Sequence, residues 1–332
     1  MTMQSTHGIP LFIGIDGGGT HTRAAIVDGD GRLRAVGSAG GSNMQAAGIA
    51  TARENIRSAV GRALAGLGGR ADPAGAFLGM AGVVSADDRR RMLDLAREVV
   101  PARHIQIDHD IRAALAGGLA GEPGIALIAG TGSSCYGRTD DGRSWRAGGW
   151  GSMLDDSGGG HWIGLRGMMA ITRAADERDQ PTALTAPLMQ ALGIDDIDLM
   201  LHLAGSDGLR HGAIAALAPI VLDMAAAGDA TARAILERGA AELGTMAATV
   251  ARHLAMASDV PIVLIGGLTA HPLYSMMIRA AIAERLPGAR LLPPLLPPAL
   301  GAALLALSLG GIAATDAIIG RLRDGCAELD LP

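Results

Sequence analysis

The sequence predicts an α/β protein built from two similar lobes. Three observations carry this prediction. An apolar strand runs into a glycine-rich bend in GIDGGGTHT (residues 14–22), the same order returns in IAGTGSS (residues 128–134), and strand and helix patterns alternate between them. Each bend leads into a second strand, a turn and a third strand, and the turn glycine is Gly31 in the first unit and Gly142 in the second. This duplication predicts facing lobes, each offering one glycine bend to a cleft between them.

The first hairpin unit shows which kind of glycine bend is present. Residues 11–13 are apolar, residues 20–27 are rich in Thr, Ile and Val, and residues 32–37 follow the turn signal at 28–31. The segment 20–27 therefore indicates a strand, whereas the dinucleotide-binding glycine loop passes directly into a helix. A Rossmann loop is excluded.

Further helices and strands follow each hairpin. The patterns predict helices at 46–67, 86–100, 110–119, 229–257 and 299–314, and strands at 76–80, 104–108, 125–129, 135–138, 143–147 and 261–265. Residues 117–123 break the helical pattern just before the second hairpin. We therefore expect an N-terminal lobe at 10–119 and a larger C-terminal lobe with helical additions at 120–332.

Composition excludes several classes of protein. The chain has 332 residues, 49% apolar residues, a mean hydropathy of +0.29 and only 18% charged residues, as expected for an ordered globular protein. A net charge of −5 gives no basic surface for nucleic acid or an anionic membrane. Lysine is absent, because all 28 residues counted as Lys or Arg are Arg. P-loop NTPases and lysine-based catalysis are therefore excluded.

Targeting signals are weak, which predicts a cytoplasmic protein. The first ten residues contain neither a basic nor an apolar segment of the kind found in secretory signals. Residues 291–315 carry no charge, but prolines interrupt the first half, and the helix at 299–314 would be only about 24 Å long. We expect a buried helix there, since a bilayer core is about 30 Å thick. Cys135 and Cys326 cannot form a four-ligand metal site within one chain.

The two bends contain the first candidate ligands. Asp16 ends a strand beside a bend of phosphate size and could bind Mg²⁺ directly or through water, although it could also hydrogen-bond its own turn. Small residues in both bends allow main-chain amides to approach phosphate oxygens. The candidates are Gly17, Gly18, Gly19 and Thr20 in the first bend and Thr131 and Gly132 in the second.

Asp110 has two interpretations that spacing alone does not separate. It opens the predicted helix at 110–119, where an N-cap Asp serves a purely structural purpose. It also follows a strand, where a carboxylate could act as general base on an attacking hydroxyl during phosphoryl transfer.

The segment from 148 to 162 combines glycines, carboxylates and scarce aromatic residues. Four of the seven aromatic side chains lie in or near it, namely Tyr136, Trp145, Trp150 and Trp162. Aromatic rings that cover sugar faces, with carboxylates that accept hydroxyl hydrogen bonds, would form a polyol pocket. The alternative is a small local core with a glycine-rich loop.

Together, GIDGGGT, HDIRAALAG, IAGTGSS, GGWGSMLDDSGGGHWIG and VLIGGL resemble the N-acetylglucosamine kinase branch of the BadF/BadG-type ATPases. That branch belongs to the sugar kinase, Hsp70 and actin superfamily. The resemblance implies a two-lobed actin-like ATPase fold, with duplicated ribonuclease-H-like lobes and the active site in the cleft. It also implies ATP and Mg²⁺ as cofactors and a homodimer that closes on its substrate.

The resemblance assigns a role to each candidate residue. Gly17, Gly18, Gly19, Thr20, Thr131 and Gly132 would face the phosphates, Gly266 and Gly267 the adenosine end, and Asp16 the magnesium ion. Asp110 would activate the sugar 6-hydroxyl. The sugar would contact Asn43, Ser133, Ser134, Gly149, Trp150, Gly151 and Asp156.

Three departures from the family concern the choice of sugar. Gln45 stands where animal relatives have Trp, Ala81 where they have Ser, and Ser157 where Glu is more usual. The resemblance therefore predicts an ATP-dependent amino-sugar kinase acting on N-acetylglucosamine, with glucosamine as the alternative. More distant alternatives are an activator ATPase of a dehydratase or reductase, and a sugar sensor without turnover.

Overall fold

The computed structural model describes residues 9–69, 71–205, 209, 211–256 and 258–328. Internal contacts divide the chain into two compact units, one formed by residues 1–123 together with 293–332 and the other by residues 124–292. The C-terminal segment therefore departs from the predicted lobe at 120–332, because it packs with the first unit. The first ten residues were predicted to contain no secretory signal, and residues 1–8 of this segment lie outside the described residues.

The first unit contains a five-stranded mixed sheet. Its strands are β1 (Leu11–Gly17), β2 (His21–Asp28), β3 (Leu33–Gly40), β4 (Gly75–Met80) and β5 (His104–His109). The order across the sheet is β3-β2-β1-β4-β5, with antiparallel pairs β1–β2 and β2–β3 and parallel pairs β1–β4 and β4–β5.

The second unit repeats this topology strand for strand. Its strands are β6 (Gly124–Ala129), β7 (Ser133–Arg138), β8 (Ser144–Gly148), β9 (Val260–Ile265) and β10 (Ala289–Leu292). The order is β10-β9-β6-β7-β8, and the pairs have the same directions as their counterparts in the first sheet. The duplication predicted from the hairpins is confirmed, and it extends to β10, which the sequence patterns did not predict.

The helices largely follow the predicted periodicity. Their bounds are α1 (Met44–Ala47), α2 (Ile49–Ala65), α3 (Ala86–Val99), α4 (Asp110–Gly118), α5 (Gly160–Ala175), α6 (Thr185–Leu192), α7 (Leu199–Gly205), α8 (His211–Ala215), α9 (Ala218–Ala226), α10 (Ala230–His253), α11 (Pro272–Arg285), α12 (Pro298–Leu309) and α13 (Asp316–Glu328). The predicted helix at 46–67 is divided, because Gly48 at φ +80° ends α1 and precedes α2. The long helix α10 ends at His253, and the predicted end at residue 257 lies outside the described residues.

Helices cover both faces of the first sheet. Ile13 and Ile15 on β1 point to α2 and α3, whereas Phe12 on β1 and Phe77 on β4 point to α12 and α13, as the alternation of side chains along a strand requires. Gly14 lies on the α12 side, where a Cβ atom would overlap the main chain of that helix. Gly14 in the GIDGGGT motif therefore serves helix packing.

The apolar helix predicted at 299–314 is buried as α12, which ends earlier, at Leu309. It packs closely against α4, because a Cβ atom at Gly301 would overlap Ala113 and Gly117 of that helix. Among the described residues, no single helix is long and apolar enough to cross a membrane, and the pair that passes by length and composition, His211–Ala226 with Ala230–His253, is bent by 115°.

The second unit is built around α10. An apolar stripe on this helix is buried in the core of the unit, and it consists of Leu236, Leu243, Met246 and Val250 on α10 and Leu254 just after it. Asp229 caps the helix by accepting a hydrogen bond from the Ala232 amide at 2.7 Å.

Candidate active site

Two carboxylates meet at one edge of the first sheet. Asp16 lies near the end of β1, and Asp110 begins α4 directly after β5. Both strands run parallel to β4, so their carboxyl ends share this edge. Gly79 is the partner of Asp16 on β4, and a Cβ atom there would lie 2.8 Å from the Ala113 Cβ and 3.3 Å from the Asp110 Cα. The bare glycine thus lets the start of α4 approach the strand beside Asp16.

The electrostatics of Asp16 show that these carboxylates interact. Burial, and then the negative charge of Asp110, raise the pKa of Asp16 to about 7, while the Arg23 guanidinium lowers it. Two carboxylates in a partly buried place provide the hard oxygen donors that Mg²⁺ prefers. Among the described residues, no group of three or more His, Cys, Asp or Glu side chains could hold a metal ion.

Asp110 is the first residue of α4, and the N-cap position itself is His109. The expected N-cap role of Asp110 is therefore shifted by one residue. One carboxylate oxygen of Asp110 accepts a hydrogen bond from the adjacent Ile111 amide at 2.9 Å. This contact fixes the carboxylate at the helix start, where the helix dipole stabilises negative charge.

The neighbouring Asp108 has a different environment. Its carboxylate is paired with Arg89 at 2.8 Å and with Arg112 at 2.6 Å. Burial raises the pKa of Asp108, but the hydrogen bonds from Arg112 and Arg89 together hold this pKa below its usual value. Asp108 therefore serves structure, and Asp110 is the better candidate for a general base.

The first glycine bend has one packed residue and three accessible ones. A Cβ atom at Gly17 would overlap the Met80 side chain and lie 2.5 Å from the Ser42 Oγ, so this glycine is required for packing. Gly18 is partly buried, and Gly19 and Thr20 are exposed. The Gly18 amide donates to the His21 carbonyl at 2.8 Å, so the exposed Gly19 and Thr20 suit the predicted contact with phosphate best.

Asn43 lies close to the same sheet edge. Its side-chain oxygen caps α1 by accepting hydrogen bonds from the amides of Gln45 and Ala46. The Gln45 side-chain amide donates to the Gly82 carbonyl at 2.9 Å, and the Ala81 amide donates to the Gly17 carbonyl at 2.7 Å. The structure therefore places Asn43 near the ends of β1 and β4, together with Gln45 and Ala81, which are two of the three departures from the family.

The second glycine bend is held by the start of α5. The amides of Gly160 and His161 donate to the carbonyls of Gly130 and Thr131, at 2.8 and 2.9 Å. A Cβ atom at Gly159 would lie 2.6 Å from the carbonyl carbon of Gly132. Gly159 and Gly160 are therefore explained by packing against the bend at residues 130–132.

Five of the predicted sugar contacts form one group in the second unit. The Asp156 carboxylate accepts hydrogen bonds from the amides of Ser133 and Gly151. The Ser133 hydroxyl donates to the Ser157 carbonyl at 2.9 Å. Ser134 pairs with the last residue of β8, and Gly149 follows that residue in the chain. The group consists of Ser133, Ser134, Gly149, Gly151 and Asp156.

Asp156 has an unusual conformation and charge state. Its φ of +57° lies in the left-handed region, which Asp tolerates better than most residues. Burial, and then the charge of Asp155, raise its pKa to about 6, although the amides of Ser133 and Gly151 oppose this change. A buried carboxylate with raised pKa beside small polar residues is typical of a ligand site.

The predicted aromatic wall is only partly present. Trp150 is 65% exposed beside the grouped polar residues, and its ring contacts the Arg146 guanidinium at 5.1 Å. Trp162 instead lies in the core of the second unit, Tyr136 is buried, and Trp145 stacks on His253 with ring centroids 3.4 Å apart. The local-core interpretation therefore holds for Trp162 and Tyr136.

Gly266 and Gly267 end β9 in different ways. Gly266 adopts φ +110°, and a Cβ atom there would overlap the Ala129 carbonyl at the end of β6. Gly267 begins a 3-10 turn (Gly267–Ala270) and faces open space. Gly266 is therefore packed beside the bend at 130–132, and Gly267 has room for a ligand.

Sequence patterns missed a pair of histidines beside this group. The rings of His161 and His211 stack at 4.5 Å, and the His211 Nδ1 lies 3.0 Å from the Ser152 Oγ. Burial, and then His211, lower the pKa of His161 to about 4. His211 has no sequence signal, because its contact with Ser152 arises only when α8 packs beside the loop.

Cys135 cannot serve as an accessible cluster ligand. It lies fully buried on β7, and burial raises the pKa of its thiol. This position gives no support to the alternative of an activator ATPase with a cysteine-ligated cluster at a subunit surface.

The repeated sheet and the glycine bends at its strand ends define a two-lobed ATPase of the actin-like class. The fold prediction is confirmed by solved structures. A Chromobacterium violaceum protein provisionally assigned as an N-acetylglucosamine kinase aligns with a TM-score of 0.75 and 30% identity over 90% of this chain and 99% of its own. A ROK family glucokinase from Streptomyces griseus, solved with glucose and AMPPNP, aligns with a TM-score of 0.59 and 20% identity over 91% and 100%.

The chain belongs to the BadF/BadG/BcrA/BcrD ATPase family, whose profile matches residues 13–306. It is similar to an N-acetylmuramic acid/N-acetylglucosamine kinase of Clostridium acetobutylicum (31% identity over 74% of this chain and 80% of the relative). It is also similar to an N-acetyl-D-glucosamine kinase of Dictyostelium discoideum (29%, over 90% and 98%) and a glucosamine kinase of Vibrio cholerae (28%, over 70% and 77%). The family resemblance read from the motifs is confirmed.

Proposed function

We propose that this protein transfers the γ-phosphoryl group of ATP to the 6-hydroxyl of an amino sugar, N-acetylglucosamine ahead of glucosamine. The observation that carries the proposal is the pair of carboxylates, Asp16 and Asp110, at the carboxyl ends of parallel strands β1 and β5. Ligands of open α/β sheets bind at such strand ends. The kinase names of the relatives in the same family support the same reaction.

Asp110 acts as the general base. Its carboxylate takes the proton of the 6-hydroxyl as that oxygen forms a bond to the γ-phosphorus, and the bond from the γ-phosphorus to the β–γ bridging oxygen breaks to release ADP. The contact with the Ile111 amide keeps the carboxylate oriented at the start of α4. Asp108 cannot replace it, because Arg89 and Arg112 occupy its carboxylate.

The remaining residues bind and orient. Gly17, Gly18, Gly19, Thr20, Thr131 and Gly132 border the phosphates, with the exposed Gly19 and Thr20 contacting phosphate oxygens directly, and Gly266 and Gly267 border the adenosine. Asp16 would hold Mg²⁺, which would neutralise phosphate charge. Asn43, Ser133, Ser134, Gly149, Trp150, Gly151 and Asp156 hold the sugar. The homodimer that the family resemblance implies, and the cytoplasmic location predicted from the lack of a targeting signal, belong to the same proposal.

The direct test is ADP release with a panel of sugars. We expect sugar-dependent ADP release with N-acetylglucosamine or glucosamine and much less with glucose, and a 6-phosphate as the product. Asp110→Asn should lower kcat by about 10²- to 10⁴-fold without loss of ATP binding in calorimetry, because it removes only the base. Asp94→Asn, at an exposed position on α3, is the control and should leave kcat unchanged.

Two results would contradict this function. ADP release that does not depend on any sugar in the panel would remove the kinase proposal. Calorimetry that detects sugar binding, with no product formed and no change in that binding in Asp110→Asn, would favour the sugar sensor.

A further inference from the structure

Tyr274 on α11 makes a buried contact with the turn that carries Asp156. Its side chain is fully buried, and its hydroxyl donates a hydrogen bond to the Gly158 carbonyl at 2.8 Å. The two residues are far apart in the sequence, so the bond joins two elements that only the fold brings together. Burial raises the pKa of the phenol, which keeps the hydroxyl protonated as a donor.

Two glycines make room for this hydroxyl. A Cβ atom at Gly158, which adopts φ +82°, would lie 3.0 Å from the Tyr274 Oη. A Cβ atom at Gly239, inside α10, would lie 2.7 Å from the same oxygen. Glycine inside a helix costs about 0.5–1 kcal/mol relative to alanine. Gly239 is therefore explained locally, because only a residue without a Cβ atom leaves space for the Tyr274 hydroxyl.

The contact fixes a turn that is itself strained. The Gly159 amide donates to the Asp156 carbonyl at 2.9 Å, and this closes a turn from Asp156 to Gly159. Asp156 holds a left-handed φ of +57° within it. Such a conformation persists only where its surroundings hold it. Ser133 binds this turn from β7, at the Ser157 carbonyl, and Tyr274 binds it from α11, at the Gly158 carbonyl.

We infer that Tyr274 is a positioning residue for sugar binding, which acts by holding the turn at 156–159 so that the Asp156 carboxylate keeps its place. This inference rests on the proposed function, because Asp156 is there a sugar contact. Tyr274 does not itself touch the sugar.

The first variant is Tyr274→Phe, which keeps the ring and removes only the hydroxyl. We expect the KM for the sugar to rise about tenfold or more, because small displacements of binding groups have large effects on productive geometry. The KM for ATP should stay within about twofold of wild type, because the hydrogen bond ends on the turn that carries Asp156. Thr182→Val is the matched control, since it removes a hydroxyl that donates to Asp229, the N-cap of α10, and not to the turn at 156–159. It should leave both KM values unchanged.

The second variant, Gly239→Ala, reaches the same hydroxyl from the opposite side. Its methyl group would press on the Tyr274 Oη and on the Gly158 Cα, which would lie 3.1 Å away. Alanine favours the helix, so α10 itself should not be weakened. We expect the same rise in the KM for the sugar. This variant keeps the test decisive if Tyr274→Phe fails to fold.

Amide hydrogen exchange of the segment 151–161 supplies a measurement independent of activity. Faster exchange there in Tyr274→Phe, but not in Thr182→Val, is expected. If wild type shows no sugar-dependent ADP release, the proposed function fails, and unchanged exchange would show separately that Tyr274 does not hold the turn. In an active enzyme, a KM for the sugar within twofold of wild type in both variants, or equal changes for sugar and ATP, would overturn the inference.

Discussion

At the scale of single residues, environment separates carboxylates that look alike in the sequence. Asp108 and Asp110 lie two positions apart, at the start of the segment DHDIRAALAG. Asp108, however, forms ion pairs with Arg89 and Arg112. Asp110 instead faces Asp16, and the two share one electrostatic environment. The sequence identified Asp110 as a candidate and left its N-cap role open, because spacing along a chain does not report ion pairs with distant residues.

Asp156 offers a prediction on pH dependence. Its pKa is raised from 3.8 to about 6 in the folded protein, so the folded state binds more protons than the unfolded state between about pH 4 and 6. This carboxyl therefore lowers the free energy of unfolding as pH rises through that window. The full effect is at most about 3 kcal/mol. Asp156→Asn, which also tolerates a positive φ, should remove this pH dependence.

The measurement is urea unfolding of wild type and Asp156→Asn at pH 4 and pH 7.5. Relative to wild type, the variant should gain stability between the lower and the higher pH. Loss of one amide contact, to Ser133 or Gly151, lowers stability equally at both pH values and cancels in the comparison. An identical difference at both pH values would mean that the carboxyl is not held with a raised pKa.

At the scale of elements, several glycines in this chain allow close packing. Gly14 and Gly79 on strands of the first sheet and Gly301 on α12 allow helices to approach a backbone that a Cβ atom would block. The sequence suggests that GIDGGGT is a single phosphate-binding bend, but Gly14 and Gly17 in this motif are required for packing. A run of glycine letters does not show which of them face a ligand and which face a helix.

The contact between α4 and α12 gives a prediction at this scale. Gly301→Ala would press a methyl group on the main chain of α4 at Ala113 and Gly117, which cannot move as a side chain can. We expect a loss of about 1–3 kcal/mol in the free energy of unfolding. Activity should also fall, because α4 begins with Asp110. Thermal and denaturant unfolding, with sugar-dependent ADP release, check this outcome.

Gly61→Ala is the control for that substitution. Gly61 lies in α2 with open space around it, so a methyl group there meets nothing within 4 Å. Stability should rise by about 0.5–1 kcal/mol, because alanine favours a helix. Equal responses of the two variants would contradict the packing role of Gly301.

At the scale of the whole molecule, the chain returns to its first unit. Residues 293–332 group with residues 1–123, and α12 and α13 cover the face of the first sheet that contains Phe12 and Phe77. The predicted boundary at 119 and 120 placed this segment in the C-terminal lobe. Breaks in periodicity divide a chain only into consecutive segments, so they cannot show that a C-terminal segment packs with an N-terminal unit.

A truncation tests this return. A chain ending at Leu292 should lose the cooperative unfolding of the first unit, because Phe12 and Phe77 would be exposed, and burial of each large apolar side chain contributes about 1.5–3 kcal/mol. Tryptophan fluorescence reports the second unit separately, since Trp145, Trp150 and Trp162 all lie there. A truncated chain in which both units still unfold cooperatively would contradict the division.

The sequence by itself determined the repeated hairpin units, the main strands, the family and most of the candidate ligands, because these depend on local periodicity, turn chemistry and motif spacing. The tertiary structure alone decided which glycines serve packing, that Trp162 and Tyr136 are core residues, that α12 belongs with the first sheet, and that Tyr274 and His211 reach the candidate sugar loop. These outcomes depend on contacts between residues far apart in the chain. Burial, ion pairing and steric approach arise only after the elements have packed, and no pattern of neighbouring letters specifies them.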